Sequence, residues 1–120
     1  MSQEVSRPTQ GKTTVASEVL LTIARLTTLK VKGVSRLAQV PIVGVNRIFK
    51  RAQIQEGVQI EIIDDLVFID LYVVLKNDVN VRDVSRNIQS EVARAIIEMV
   101  GMQVGSVNIH IEDIEYPPES

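Results

Sequence analysis

Hydrophobic residues recur along this chain in two rhythms, and each rhythm predicts an element. In VNVRDVSRNIQSEVARAIIEMVG, residues 79–101, Val84, Ile88, Val92, Ala95, Ile96 and Met99 return at helical spacing, the signature of one apolar helix face. Asn80 stands where an N-cap is needed, with Asp83 three positions on as in a capping box, and Gly101 supplies the stop. Arg86, Gln89, Ser90 and Arg94 fall on the watery side, with Arg94 and Glu98 spaced as an i,i+4 pair. A first helix is predicted over residues 18–30 from Val19, Leu20, Ile23, Leu26 and Thr27. Ser17 is its expected N-cap, Glu18 favours the positive end of its dipole, and Gly33 marks its end.

The second rhythm has a period of two. In VQIEII, residues 58–63, Val58, Ile60 and Ile62 alternate with Gln59, Glu61 and Ile63. LVFIDLYVVL, residues 66–75, sets Val67, Ile69, Leu71, Val73 and Leu75 on one side and Phe68, Asp70, Tyr72 and Val74 on the other. Asp64 and Asp65 between them predict a hairpin turn. SVNIHIEDI, residues 106–114, reads as a last strand with Val107, Ile109 and Ile111 inward and Asn108, His110 and Glu112 outward. GKTTVA, residues 11–16, reads as a short first strand. Residues 34–56 are interrupted by Pro41 and Gly44 and read as a loop, with one helical turn near residues 46–53.

These elements predict an α+β domain in the order β-α-β-β-α-β: a mixed sheet of about four strands with two helices on one face. It spans residues 11–115, between a disordered N-terminal lead over residues 1–10 and a disordered tail over residues 116–120. The other sheet face stays open and carries Glu61, Phe68, Asp70, Tyr72, His110 and Glu112.

Composition sharpens this picture. With 120 residues the chain fits one core, and with two Phe, two Tyr and no Trp that core is aliphatic. No cysteine is present, so thiolate chemistry and disulfides are excluded. No run of about 18 apolar residues exists to form a transmembrane helix. The net charge of −2 conceals a division. Residues 19–55 hold Arg25, Lys30, Lys32, Arg36, Arg47, Lys50 and Arg51 and no acid, whereas residues 56–120 hold thirteen acids and four cations. Such segregation bears on partners rather than on fold.

Candidate chemistry is sparse. GKTT imitates a phosphate loop, but Ser6 stands where that motif needs glycine. His110 is the only histidine, too few for the usual catalytic zinc ligand set. No catalytic residue, metal ligand or cofactor site is assigned, and the expectation is a protein that is not an enzyme. Phe68, Asp70, Tyr72 and Val74 on the open face are the candidate partner-binding residues, for self-association or another protein. Arg36, Arg47, Phe49, Lys50 and Arg51 mix cations with apolar side chains, which suits the chain's own acids first and an anionic membrane surface second. A nucleic-acid-binding module using residues 25–51 is the alternative, disfavoured because only Phe49 offers a stacking ring there.

Four blocks together resemble a known family: SEVLLTIARLTTLKVKGV at residues 17–34, FIDLYVVL at residues 68–75, the helix at residues 79–101, and VNIHIEDI at residues 107–114. The chain resembles the alkaline shock protein family of bacterial envelope stress response proteins, also called the Gls-type general stress family. The likeness runs from Gly11 to Ile114 and is least at residues 34–56. It implies a small, cytoplasmic, non-enzymatic protein of cell-envelope homeostasis. It further implies self-association and a small membrane-anchored partner that holds the protein peripherally at the inner face of the plasma membrane. No catalytic residues come with it.

Overall fold

A computed structural model describes residues 15–40 and 53–117. Its elements are α1 (Ser17–Lys30), β1 (Val34–Leu37), β2 (Gln53–Gln55), β3 (Val58–Ile63), β4 (Leu66–Lys76), α2 (Val81–Val100) and β5 (Gln103–Glu115). The α+β class and the two helices stand as expected, with five strands in one mixed sheet.

β4 is the spine of that sheet. One of its edges pairs antiparallel with β3 over Leu66–Leu71 and then with β1 over Val73–Leu75. β5 runs parallel to β4 along its whole other edge, from Leu66 to Lys76. A parallel neighbour requires a crossover, and α2 provides it. β2 extends the sheet beyond β3. Val67, Ile69, Leu71, Val73 and Leu75 are all 0% exposed. They meet Leu20, Leu21 and Ala24 of α1 and Val84, Ile88, Val92 and Ile96 of α2 in one cluster. The helices touch each other as well as the sheet, so both lie on the same face. Each of these fully buried aliphatic side chains stabilises the fold by roughly 1.5–3 kcal/mol.

Local chemistry fixes the connections. Asp64 (φ 52°) and Asp65 (φ 68°) both take the left-handed conformation, as a two-residue primed hairpin turn demands. Asn80 Oδ1 accepts from the Asp83 backbone N–H at 3.0 Å, and Gly101 closes α2 at φ 74°. β5 holds its alternation through two bulges, at Gly105 and Glu112. Each skips one residue, so Val104, Val107, Ile109, Ile111 and Ile114 all pack against the core despite uneven spacing.

Several expectations are corrected. Residues 34–37 form a strand instead of a loop. Val34 and Leu37 turn inward across a bulge at Ser35, a spacing that hides the period of two. Gln53–Gln55 is a strand rather than the end of a helical turn, while residues 46–52 lie outside the described residues. So do residues 11–14 of the expected first strand, and Val15 and Ala16 carry no strand. Ser17 does not cap α1, because the chain stays extended only to Ala16, which makes no side-chain cap. The buried row of α1 is Leu20, Leu21, Ala24 and Thr28. Val19 and Leu26 sit one row aside and are exposed, as is Met99 at the end of α2. Arg94 pairs with Glu91 at 2.6 Å rather than with Glu98.

The handover of β4 from β3 to β1 is the tightest point of the sheet. The Tyr72 N–H donates to the Gly57 carbonyl at 2.9 Å, and the Tyr72 carbonyl accepts from Ala38 N–H at 2.7 Å. Two strand ends therefore meet head-on. A Cβ on Gly57, at φ +81°, would lie 2.3 Å from the Ala38 carbonyl oxygen. Gly101 has a similar φ but nothing within 4 Å. Gly101→Ala should cost about 1–2 kcal/mol of left-handed strain. Gly57→Ala should cost more than that, by about a further 2 kcal/mol or above, because backbone must shift as well. Urea denaturation of the two variants measures the difference; equal losses would mean that the crowding at Gly57 is not real.

Candidate functional site

The open face of the sheet is built by the even positions of β4 and their register partners. Phe68 opposes Glu61 of β3 and Ser106 of β5; Asp70 opposes Gln59 and Asn108; Tyr72 opposes His110. Among the described residues no helix covers this side. Phe68, Asp70, Tyr72 and His110 are half-buried, and Asn108 and Glu112 are exposed.

Two contacts organise the centre. The Tyr72 and His110 rings stack with centroids 4.4 Å apart and an interplanar angle of 11°. The His110 Nε2 lies 2.9 Å from Asp70 Oδ1, which also accepts from Asn108 Nδ2 at 3.3 Å. Asp70 thus orients the imidazole, and the imidazole presents its plane to the phenol. Partial burial raises the Tyr72 phenol above its usual 10.0, and the negative charges of Asp70 and Glu112 raise it further. Among the described residues, no group of three His, Cys, Asp or Glu side chains is placed to hold a metal ion.

Phe68 has a different environment. Gly105, the residue skipped by the first bulge of β5, lies beneath its ring, and a Cβ there would come within 2.6 Å of it. The ring rests on backbone, one edge toward water. Val74 drops out of the candidate set, being only 2% exposed. It sits between Arg36 of β1 and Asp113 of β5, both in register with it, where β4 is flanked on both edges. Arg36 is exposed but lies 3.8 Å from Glu115, which also accepts from the Ser35 hydroxyl. Arg47, Phe49, Lys50 and Arg51 lie outside the described residues.

Sequence reasoning placed Asp70, Tyr72, His110 and Glu112 together on this face without finding the Tyr72–His110 stack. The register of a parallel pair depends on where β5 starts and bulges, and the apolar spacings of three at Val104–Val107 and Ile111–Ile114 were the available signal. Gln59 was missed altogether. It is 5% exposed, and its Oε1 has no hydrogen-bond donor.

A small α+β domain with helices on one side and an aromatic, carboxylate-bearing face on the other is defined by a surface rather than by a cleft. Comparison with known proteins then gives its place: the chain belongs to the ASP23 family, whose stated role is a cell envelope-related function, matched over residues 6–116. It is 28% identical to the uncharacterized protein YqhY of Bacillus subtilis (strain 168), over 88% of this chain and 78% of that protein. It is 33% identical to the uncharacterized protein Spy1535 of Streptococcus pyogenes serotype M6, over 87% of this chain and 79% of that one. Among solved structures the fold is similar to MamM-CTD, with a TM-score of 0.50, 11% identity, and coverage of 85% of this chain and 100% of that one.

The raised Tyr72 phenol has a measurable sign. The unfolded chain ionises this tyrosine first, so its contribution to stability is complete below pH 10.0 and is lost as pH climbs through the higher folded value. In a Tyr116→Phe background, Tyr72 is the only tyrosine left to titrate. Phenolate absorbance should then show one transition above 10.0. Adding Asp70→Asn should move it down without returning it fully, since burial is the larger cause. An unchanged midpoint in that variant would remove Asp70 from the field at Tyr72.

Proposed function

We propose that this chain is a non-enzymatic envelope protein that acts as a scaffold, docking a partner or further copies through its open sheet face, close to the inner surface of the plasma membrane. The observation that carries the reading is the one-sided sheet. Helices cover one face completely, while the other leaves Phe68, Asp70, Tyr72 and His110 partly in contact with water. A half-exposed stacked pair of rings beside a carboxylate offers both area and direction to a partner. Membership of a family with a cell envelope-related function supplies the setting.

The membrane part of the proposal rests on sequence pattern. No helix among the described residues is long and apolar enough to cross a membrane. Attachment would therefore run through a membrane-anchored partner, or through the cations and Phe49 of residues 36–51. Nucleic acid is the poorer fit, because the aromatic rings lie among carboxylates that repel phosphate.

Recovery of bound proteins from the host's membrane fraction tests the scaffold reading. The wild-type chain should retain a membrane protein that Tyr72→Ala/His110→Ala loses by about tenfold or more, equivalent to about 1.4 kcal/mol. Recovery of the same proteins in equal amount by both forms would show that the open face is not the docking surface.

A further inference from the structure

We infer that two copies of this chain pair edge to edge through β5, antiparallel and centred on Ile109, so that one sheet runs through both. The open face takes no part in this contact, which stands apart from the docking role proposed for it. Among the described strands β5 is the longest, at 13 residues, and none pairs with its outer edge. Exposed edges are commonly blunted by lysine or proline, and Gln103–Glu115 contains neither. Its bulges at Gly105 and Glu112 lie toward the ends and leave residues 106–111 in regular register with β4. The apolar row of β5 is also incompletely covered. Val104, Val107, Ile109, Ile111 and Ile114 pack against the core yet are only half-buried, whereas the five inward residues of β4 beside them are 0% exposed. α2 reaches this edge with the row that carries Gln89, and the same row holds Ile97, 50% exposed. The sheet stops one strand short of covering its own core.

Symmetry identifies the occupant. The five apolar residues of β5 lie three, two, two and three positions apart, a spacing that reads the same from either end with Ile109 at its centre. An antiparallel partner turned about Ile109 sets Ile109 against Ile109, Val107 against Ile111 and Val104 against Ile114. The row is complementary to itself, as the patch of a two-fold contact must be. A slip by one residue would set it against polar positions. Charge agrees. Glu112, Asp113 and Glu115 lie at one end of β5, and Gln103 to Asn108 carry no charge. Turned about Ile109, the acids of each copy face Ser106, Gly105 and Gln103 of the other, whereas parallel pairing would set acid beside acid. The backbone is presented to match. The Val107 carbonyl takes a side-chain donor, Gln89 Nε2 at 3.0 Å, so it points away from β4. Alternation along the strand gives Ile109 and Ile111 outward backbone groups as well. In the pair these exchange hydrogen bonds, and Gln89 is the cap that gives way.

The two-fold axis through Ile109 stands perpendicular to the sheet, so both helix layers lie on one side and both open faces on the other. Each copy contributes its β5 edge, and the contact closes at two. The continuous sheet then presents two Tyr72–His110 stacks in the same direction. A partner with two docking segments would meet both at once and gain avidity without any new kind of contact.

Sedimentation equilibrium of the full chain tests the inference. The mass should reach twice 13.3 kDa as concentration rises. It should hold at about 0.5 M salt, because apolar contacts and backbone hydrogen bonds are not screened. Tyr72→Ala, which alters only the open face, should pair as the wild type does. In that background Ile109→Lys brings two ammonium groups together on the axis and should leave a monomer. Circular dichroism establishes that this variant is folded, since a long stem can carry its charge from a half-buried site to the edge. Gln89→Ala frees the Val107 carbonyl and should tighten the pair by about tenfold, because each pair releases two caps. The chain has no cysteine, so engineered thiols report alone. Asn108 of one copy lies directly opposite His110 of the other, at a non-hydrogen-bonded position within reach of a disulfide. Asn108→Cys and His110→Cys should therefore cross-link when mixed under mild oxidation, and far less when either is oxidised alone. A wild type that stays monomeric, pairing lost in Tyr72→Ala, a folded Ile109→Lys variant that still pairs, a Gln89→Ala variant that pairs no more tightly, or a mixture that cross-links no better than its components would each overturn the inference.

Discussion

Every feature of this protein depends on β4 being paired along both edges while helices cover only one of its faces. An interior strand with two paired edges satisfies its backbone hydrogen bonds within the sheet. Its side chains are then free to differ completely between faces. Five aliphatic residues at alternate positions are fully buried against α1 and α2. Three of the four intervening positions, Phe68, Asp70 and Tyr72, keep partial access to water. One strand thus makes the hydrophobic core and the candidate site together. Slipping its register by one residue would exchange them.

Register is therefore what the neighbours of β4 defend. β5 does so with bulges at Gly105 and Glu112, which let a sequence of uneven apolar spacing keep five residues inward. The same bulges shape the open face. Gly105 gives Phe68 a flat seat, and Glu112, displaced from the regular ladder, comes near enough to Tyr72 for its charge to be felt. β1 uses a bulge at Ser35 for the same purpose, keeping Val34 and Leu37 inside and leaving Arg36 on the open face beside Val74. Irregularity in the outer strands is thus the condition for regularity in the central one.

What could be read from the sequence follows from this arrangement. β3, β4 and α2 were legible almost residue by residue, because each buries one regularly spaced apolar row, and their turns carry Asp64-Asp65, Asn80 and Gly101. α1 was legible as a helix but not in its orientation. Val19 and Leu26 are as apolar as Leu20 and Leu21, so the pattern alone could not say which row faces the sheet. β1 and β2 were illegible. Both are shorter than the window in which a period of two can declare itself, and one is bulged. On the candidate site, Asp70 and Tyr72 could be placed on a face, but their union with His110 is a contact 38 to 40 positions apart that depends on parallel register. Val74 had the right parity and the wrong exposure, at 2%.

The division of charge is the remaining constraint. A net charge of −2 suggests a nearly neutral molecule, yet the acids and cations are held in different parts of the chain. Within one copy, Arg25 and Arg36 bring the two parts together at the sheet's margins. The centre of the open face gains no lysine or arginine partner among the described residues. Asp70 is met by His110 and Asn108, while Glu61 and Glu112 have no lysine or arginine within ion-pair distance among the described residues. In the proposed docking role, carboxylates beside partly exposed rings would favour a cationic partner over an anionic one.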